Sequence, residues 1–194
     1  KLHMSENDTL VTPTPMYHCF GCVMSNIASI THGTHIVYPA PQFNAELTLE
    51  AVQRFKATIL HGVPTMFISE MALPSFKSYD LSSLRTGIMA GSPCPEVTMN
   101  RVMTEMHMKE ITICYGMTET SPVSTQTSSE DPILARVETV GKVHPHLEVK
   151  IIDPNDGIYN GVVVGDSLVF GIPMLFVIVR NVQCVQRMRM NTPQ

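Results

Sequence analysis

Between residues 34 and 115, short β-rich runs alternate with helix-length stretches, and that alternation constrains the fold more than any other feature of the chain. The β-rich runs are 34–38, 57–60, 84–89 and 110–114. Asn44 is placed to cap a helix carrying Leu49, Val52 and Phe55 on one face. Pro64 suits the first turn of a second helix, continued by Met66, Phe67 and Met71. A third spans 95–107, where Met99, Val102, Met103 and Met106 recur at i, i+3, i+4 and i+7 as an apolar stripe. This order predicts an α/β fold, a mostly parallel sheet with flanking helices. Upstream, 9–16 reads as extended chain closed by prolines, and 20–30 as a helix stopped at Thr31-His32-Gly33. Downstream, Leu147, Val149 and Ile151 alternate with His146, Glu148 and Lys150, the pattern of a half-buried strand, closed by the turn Pro154-Asn155-Asp156-Gly157.

Composition narrows the function classes. The 194 residues are 44% hydrophobic and 15% charged, enough for one domain with its own core and unlike a disordered chain. The net charge is -4 and no Lys/Arg-rich run occurs, so neither nucleic acid nor an anionic membrane is an expected partner. Residues 162–179 are strongly apolar but broken by Asp166 and Pro173; the clean run 167–179 is too short for a transmembrane segment. It reads as a buried strand pair, or as residues foreign to the fold before it. The cysteines Cys19, Cys22, Cys94, Cys114 and Cys184 are odd in number and scattered, against a disulfide framework. Cys19 and Cys22 lack the second pair a zinc site needs. His32 with His35, and His144 with His146, lack a third ligand and read as surface or loop histidines. The chain opens at Lys1 without a signal-like stretch. It reads as a piece of a longer product, and no compartment follows from its residues.

In parallel α/β sheets, ligands bind at the carboxyl ends of the strands. Three strands here run into His61-Gly62-Val63-Pro64-Thr65, Ala90-Gly91-Ser92-Pro93 and Tyr115-Gly116-Met117-Thr118-Glu119-Thr120. Each has a glycine, where the backbone passes close to something or turns sharply. The third adds an aromatic ring, two hydroxyls and a carboxylate, which suit a base, phosphates and Mg²⁺ respectively. Taken singly, each loop is equally an ordinary turn or helix cap; their joint order is what points to a nucleotide.

Tyr115-Gly116-Met117-Thr118-Glu119-Thr120-Ser121-Pro122 resembles the signature loop of the adenylate-forming enzymes, the acyl-CoA synthetase and luciferase superfamily. Pro15-Met16-Tyr17-His18-Cys19-Phe20-Gly21 resembles that family's Pro-x-x-His-x-x-Gly segment. Gly62-Val63-Pro64-Thr65, Gly87-Ile88-Met89-Ala90-Gly91-Ser92-Pro93 and Val140-Gly141-Lys142-Val143 match further family segments in the same order. The likeness covers about 9–156. The stretch Tyr79-Asp80-Leu81-Ser82-Ser83-Leu84 favours the mitochondrial medium-chain acyl-CoA ligase branch. The resemblance implies that 1–157 is the central part of an AMP-binding domain, a partial N-terminal domain of such an enzyme. It makes 158–194 a divergent apolar tail with the C-terminal domain absent.

The resemblance implies ATP, Mg²⁺, CoA and a small-molecule carboxylic acid as ligands, and mitochondrial localisation. Gly91, Ser92 and Pro93 would line the adenine pocket, and Tyr115 would pack on the base. Gly116 would let the backbone approach the nucleotide. Thr118 would donate to the α-phosphate, and Glu119 would bind Mg²⁺. His18 would stand where carboxylate and thiol meet; otherwise it is a partly buried histidine bonded to backbone. Val63, Met89, Ala90 and Met117 would line an apolar acyl pocket suited to a fatty acid. The family's phosphate loop, ribose-binding Asp and catalytic Lys have no counterpart here, so the chain alone is expected to be catalytically incomplete. Apolar faces uncovered at both ends predict self-association. Two other readings are a non-catalytic interaction fragment and a different adenylating chemistry on the same scaffold.

Overall fold

The computed structural model describes residues 1–145, 147, 149–152, 159–162, 176–179 and 182–187. Seven short strands make its central sheet: β1 Thr9–Val11, β2 His35–Val37, β3 Ile59–Leu60, β4 Thr86–Ala90, β5 Glu110–Tyr115, β6 Thr125–Gln126 and β7 Lys142–Val143. Their order is β2-β1-β3-β4-β5-β6-β7. The first five pair in parallel, and β6 and β7 run antiparallel to their neighbours. The helices are α1, a π-helical Phe20–Ile27 running into an α-helical Ala28–His32, then α2 Ala45–Phe55, α3 Pro64–Met71, α4 Glu96–Glu105 and α5 Ile133–Glu138. The α/β class and mostly parallel sheet expected from the alternation are what the chain adopts.

Local chemistry sets the helix ends. The Asn44 side chain accepts the Leu47 N–H at 2.9 Å, satisfying one of the donors that the first turn of α2 leaves open. Pro64 opens α3, where its missing N–H loses nothing. Gly33 ends α1 in the left-handed region at φ 68°.

The two sheet faces are built differently because strand residues alternate sides. Met89, Ile111 and Ile113 face α2 to α5 and join Leu49, Val52, Phe67, Met99 and Val102 in the main core. Met99, Val102 and Met106 are fully buried, so the predicted stripe on α4 is the buried one. Phe55 departs from its predicted place: at the last position of α2 it passes the core edge, stays 41% exposed and stands edge-on to His35. On the opposite face, Ile88, Ala90 and Cys114 meet only Phe20 and Met24 of α1, with Leu2, Val63 and Val123 beside them.

Two polar clamps, one partly exposed and one buried, hold the strand ends farthest from the candidate site. Arg85 donates to both Asp8 carboxylate oxygens at 3.0 Å and to Glu110 at 2.9 Å. Burial pushes the Asp8 carboxyl up, but Arg85, the Thr58 hydroxyl and Ser5 outweigh it and hold the group below its ordinary range. Arg136, buried, donates to the carbonyls of Asp131, Lys109, Ile111 and Ser129, tying α5 to the start of β5.

Beyond the main sheet, β8 Lys150–Ile152 pairs with β9 Tyr159–Val162 and β10 Phe176–Val179 with β11 Val182–Arg187, both antiparallel. The predicted turn at 154–157, most of the apolar run 162–179 and His146 lie outside the described residues. Among the described residues no helix is long and apolar enough to cross a membrane.

Candidate active site

Ala90, Gly91 and the loop from Tyr115 to Glu119 lie around one cavity of about 340 Å³, at the carboxyl ends of β4 and β5. His18, Cys19, Phe20 and Met24 close it from the side of α1. Parallel pairing of Ala90 with Cys114 places the ends of β4 and β5 side by side, so the two loops that leave them must meet.

The signature loop is folded by its own polar groups. The Thr120 hydroxyl accepts the Met117 N–H at 3.1 Å and donates back to the Met117 carbonyl at 3.0 Å, closing the single 3₁₀ turn Thr118–Thr120. That leaves Thr118 and Glu119 exposed on the rim of the cavity they line. A Cβ on Gly116 would stand 1.8 Å from the Pro122 carbonyl oxygen, so the loop's return path already requires glycine there. Gly91 sits at φ 92°, which side chains rarely tolerate. Tyr115 is half-buried, and burial pushes its hydroxyl up.

His18 is exposed and lines the cavity, while its Nδ1 accepts the Phe20 N–H at 3.0 Å. The backbone bond and the cavity position hold together. The accepting Nδ1 carries no proton, so the neutral ring presents Nε2–H. Gly21 lets α1 begin here: a Cβ would meet the Pro15 carbonyl oxygen at 2.3 Å. A buried hydroxyl chain joins Thr14, Thr12 and Ser25 at 2.8 and 2.9 Å and ends on the Phe20 carbonyl at 3.1 Å. This chain anchors the π-helix to the end of β1.

Of the predicted residues, His18, Ala90, Gly91, Tyr115, Gly116, Met117, Thr118 and Glu119 meet at the cavity. Four do not line it. Met89 points to the opposite sheet face, fully buried in the main core, because it alternates with Ala90. Val63 packs beneath Gly91, within 3.2 Å of where its Cβ would be. Ser92 and Pro93 are exposed beyond the rim as the chain turns away toward α4. Cys19 was not foreseen: its sulfur accepts the Thr118 hydroxyl at 3.5 Å. Cys114, Phe20 and Met24 were also missed; Cys114 shares the face of Ala90 because the two pair across β4 and β5, a register no motif in the chain displays.

A second, wider cavity of about 700 Å³ adjoins the first across Met24, Pro122 and Val123. Leu2, Met4, Val23 and Ile88 give it apolar walls. At its edge the His144 ring lies 3.1 Å from Gln126 Oε1, and Gln126 Nε2 donates to Thr112 at 2.9 Å. His144 is a loop histidine, as one of the two expected placements has it, but half-buried and hydrogen-bonded; His32 and His35 are exposed. Among the described residues no group of three or more His, Cys, Asp or Glu could hold a metal by itself.

A mostly parallel sheet whose Tyr-Gly-Met-Thr-Glu-Thr loop faces a glycine turn across a cavity defines the class of α/β domain to which this chain conforms. The AMP-binding enzyme family model matches residues 1–172, and the chain belongs to that family. It is 46% identical over 157 residues to the acyl-CoA ligase SID4 of Ajellomyces capsulatus, covering 81% of this chain and 27% of that protein. With the mitochondrial medium-chain acyl-CoA ligase ACSF2 of Mus musculus it shares 40% over 153 residues, 79% of this chain and 25% of that one. The chain thus spans about a quarter of the length of the curated relatives it matches. In fold it is similar to the anthranilate CoA ligase AuaEII in complex with anthranoyl-AMP, with a TM-score of 0.76 at 22% identity, over 94% of this chain and 33% of that one.

Proposed function

We propose that this chain carries the adenylate-binding wall of a fatty-acid–CoA ligase, acting within a longer protein that supplies the phosphate loop, the ribose anchor and the catalytic lysine. The observation that carries the reading is the meeting of Ala90–Gly91 with Tyr115–Glu119 and His18 at one cavity. In such an enzyme a carboxylate oxygen bonds to the α-phosphorus of ATP and pyrophosphate leaves. The CoA sulfur then bonds to the acyl carbon, and AMP leaves.

The chain's own residues position and neutralise. The Tyr115 ring gives the base a flat wall, and the Thr118 hydroxyl exchanges its weak bond to Cys19 for one to an α-phosphate oxygen. Glu119 makes no hydrogen bond or ion pair with another described residue, and a single exposed carboxylate on the rim fits a Mg²⁺ held otherwise by phosphates and water. Bound there, Mg²⁺ would offset phosphate charge. His18, presenting Nε2–H, would orient the reacting carboxylate. Ala90 and Met117 start the apolar path for the acyl chain, and the adjoining cavity past Met24 continues it. That apolar volume, together with the medium-chain ligases among the relatives, supports a medium-chain acid and a mitochondrial setting.

The test is acid-dependent ATP–pyrophosphate exchange with octanoate and Mg²⁺, beside calorimetric binding of octanoyl-adenosine sulfamate, a stable mimic of the acyl-adenylate. The 194-residue chain is expected to bind the mimic but to give no exchange. Exchange by this chain alone would contradict the division of labour; absence of binding would contradict the adenylate site.

A further inference from the structure

His61 sits at the carboxyl end of β3, fully buried between the sheet and α1. Its Nδ1 accepts the Ile88 N–H at 3.2 Å. A ring nitrogen that accepts carries no proton, so the neutral imidazole holds its hydrogen on Nε2. That Nε2 has no hydrogen-bond partner among the described residues. The Met24 carbonyl of the π-helix favours the ring's protonated form, but the contact does not reach the geometry of a full hydrogen bond. The ring also lies 5.8 Å from the Phe20 ring, tilted by 39°.

These contacts tie three parts of the site together. Ile88 lies two residues before Ala90 on β4, and Phe20 and Met24 are two of the side walls of the candidate cavity. The π-helix is an uncommon form, found often at functional sites because its wide turn leaves backbone groups free to re-pair. No charged side chain contributes to the environment of His61: burial, opposed by the Leu60 and Met24 carbonyls, brings its imidazole down to about 4. The ring therefore stays neutral near pH 7, and its Nε2–H is a standing donor on the side of the π-helix. An unpaired buried N–H favours any rearrangement that pairs it.

We infer that His61 is a positioning residue for the adenylate cavity: when the cavity is filled, the π-helix settles onto the sheet, Nε2–H bonds to the Met24 carbonyl, and Phe20 and Met24 are fixed against the acyl group. The inference rests on the adenylate reading above. A ligand can shift the helix only by binding the settled state more tightly, and the new hydrogen bond is part of that difference.

The experiment is nitrogen-15 NMR of the His61 ring in the full 194-residue chain, free and with octanoyl-adenosine sulfamate, together with calorimetry on two variants. The expected result is an Nε2–H tautomer throughout, with its proton moving downfield and becoming protected from exchange on binding. His61→Asn keeps an acceptor where Nδ1 stands but has no donor at Nε2. It should melt at a lower temperature but still fold cooperatively, and its folded form should bind the mimic about tenfold more weakly, equivalent to about 1.4 kcal/mol. His61→Gln places an amide N–H where Nε2–H stands and should recover most of that affinity. Binding that leaves the Nε2–H signal unmoved, or equal affinities for wild type and His61→Asn, would overturn the inference alone. Absence of binding by the wild type would overturn it together with the adenylate reading.

Discussion

The two faces of the sheet solve the same burial problem in opposite ways. The face under α2 to α5 is filled mainly by aliphatic, methionine and aromatic side chains, with Arg136 of α5 as its buried polar clamp. The face under α1 has few apolar residues and two cavities, and hydrogen bonds among Thr12, Thr14, Ser25, Gln126 and Thr112 do much of the fastening. One face is packed solid, and the other keeps the cavities in which the proposed adenylate site lies. Substitutions on the first should therefore change folding, and substitutions on the second should change binding.

The largest effect is expected from Leu49→Ala on the filled face. Leu49 is fully buried, and deleting its methyls should remove about 2–5 kcal/mol of stability, read by urea denaturation. The folded fraction should bind octanoyl-adenosine sulfamate as before. A large loss of affinity in that fraction would erase the distinction between the faces.

Glu70 sharpens the comparison because it is the exception on the filled face. It is buried in α3 with one carboxyl oxygen unpaired among the described residues, and burial raises its carboxyl well above the ordinary carboxylate range. The folded state then holds its proton longer than the unfolded one, so stability falls as pH rises above about 4.5 toward the raised value. Glu70→Leu should gain roughly 1–3 kcal/mol at pH 7 by removing an unpaired buried polar group, and the gain should shrink at pH 4. Denaturation at the two pH values checks it; a gain independent of pH would contradict the assignment.

The smallest effect on folding belongs to the open face. Thr118 is exposed and its only described side-chain partner is the Cys19 sulfur. Thr118→Ala should shift stability by less than about 0.5 kcal/mol yet weaken binding of the mimic about tenfold. Thermal melts and calorimetry on one preparation separate the two.

The same contrast explains what could be read in advance. The filled face follows periodicity, so the α4 stripe, the Asn44 cap and the Pro64 start were all legible. The error there, Phe55, came from extending a helical face one turn past the edge of the core. The candidate site was legible through motif order, which picked out the loops after β4 and β5. Motif order does not say which side of a strand a residue takes, and so Met89 was assigned to a pocket it turns away from. Cys19 and His61 gave no signal, because their roles come from contacts 99 and 27 residues away along the chain. The π-helical form of α1 was equally hidden, since its apolar spacing over so short a stretch does not separate 3.6 from a wider turn.

The measurement that bears most directly on the account is a structure of the chain with octanoyl-adenosine sulfamate bound. The account places the adenine against Tyr115 and the Ala90–Gly91 turn, the sulfamate within hydrogen-bond reach of the Thr118 hydroxyl, and the acyl chain leading past Met24. A ligand seated on the α2–α5 face, or one touching neither Tyr115 nor Thr118, would contradict it.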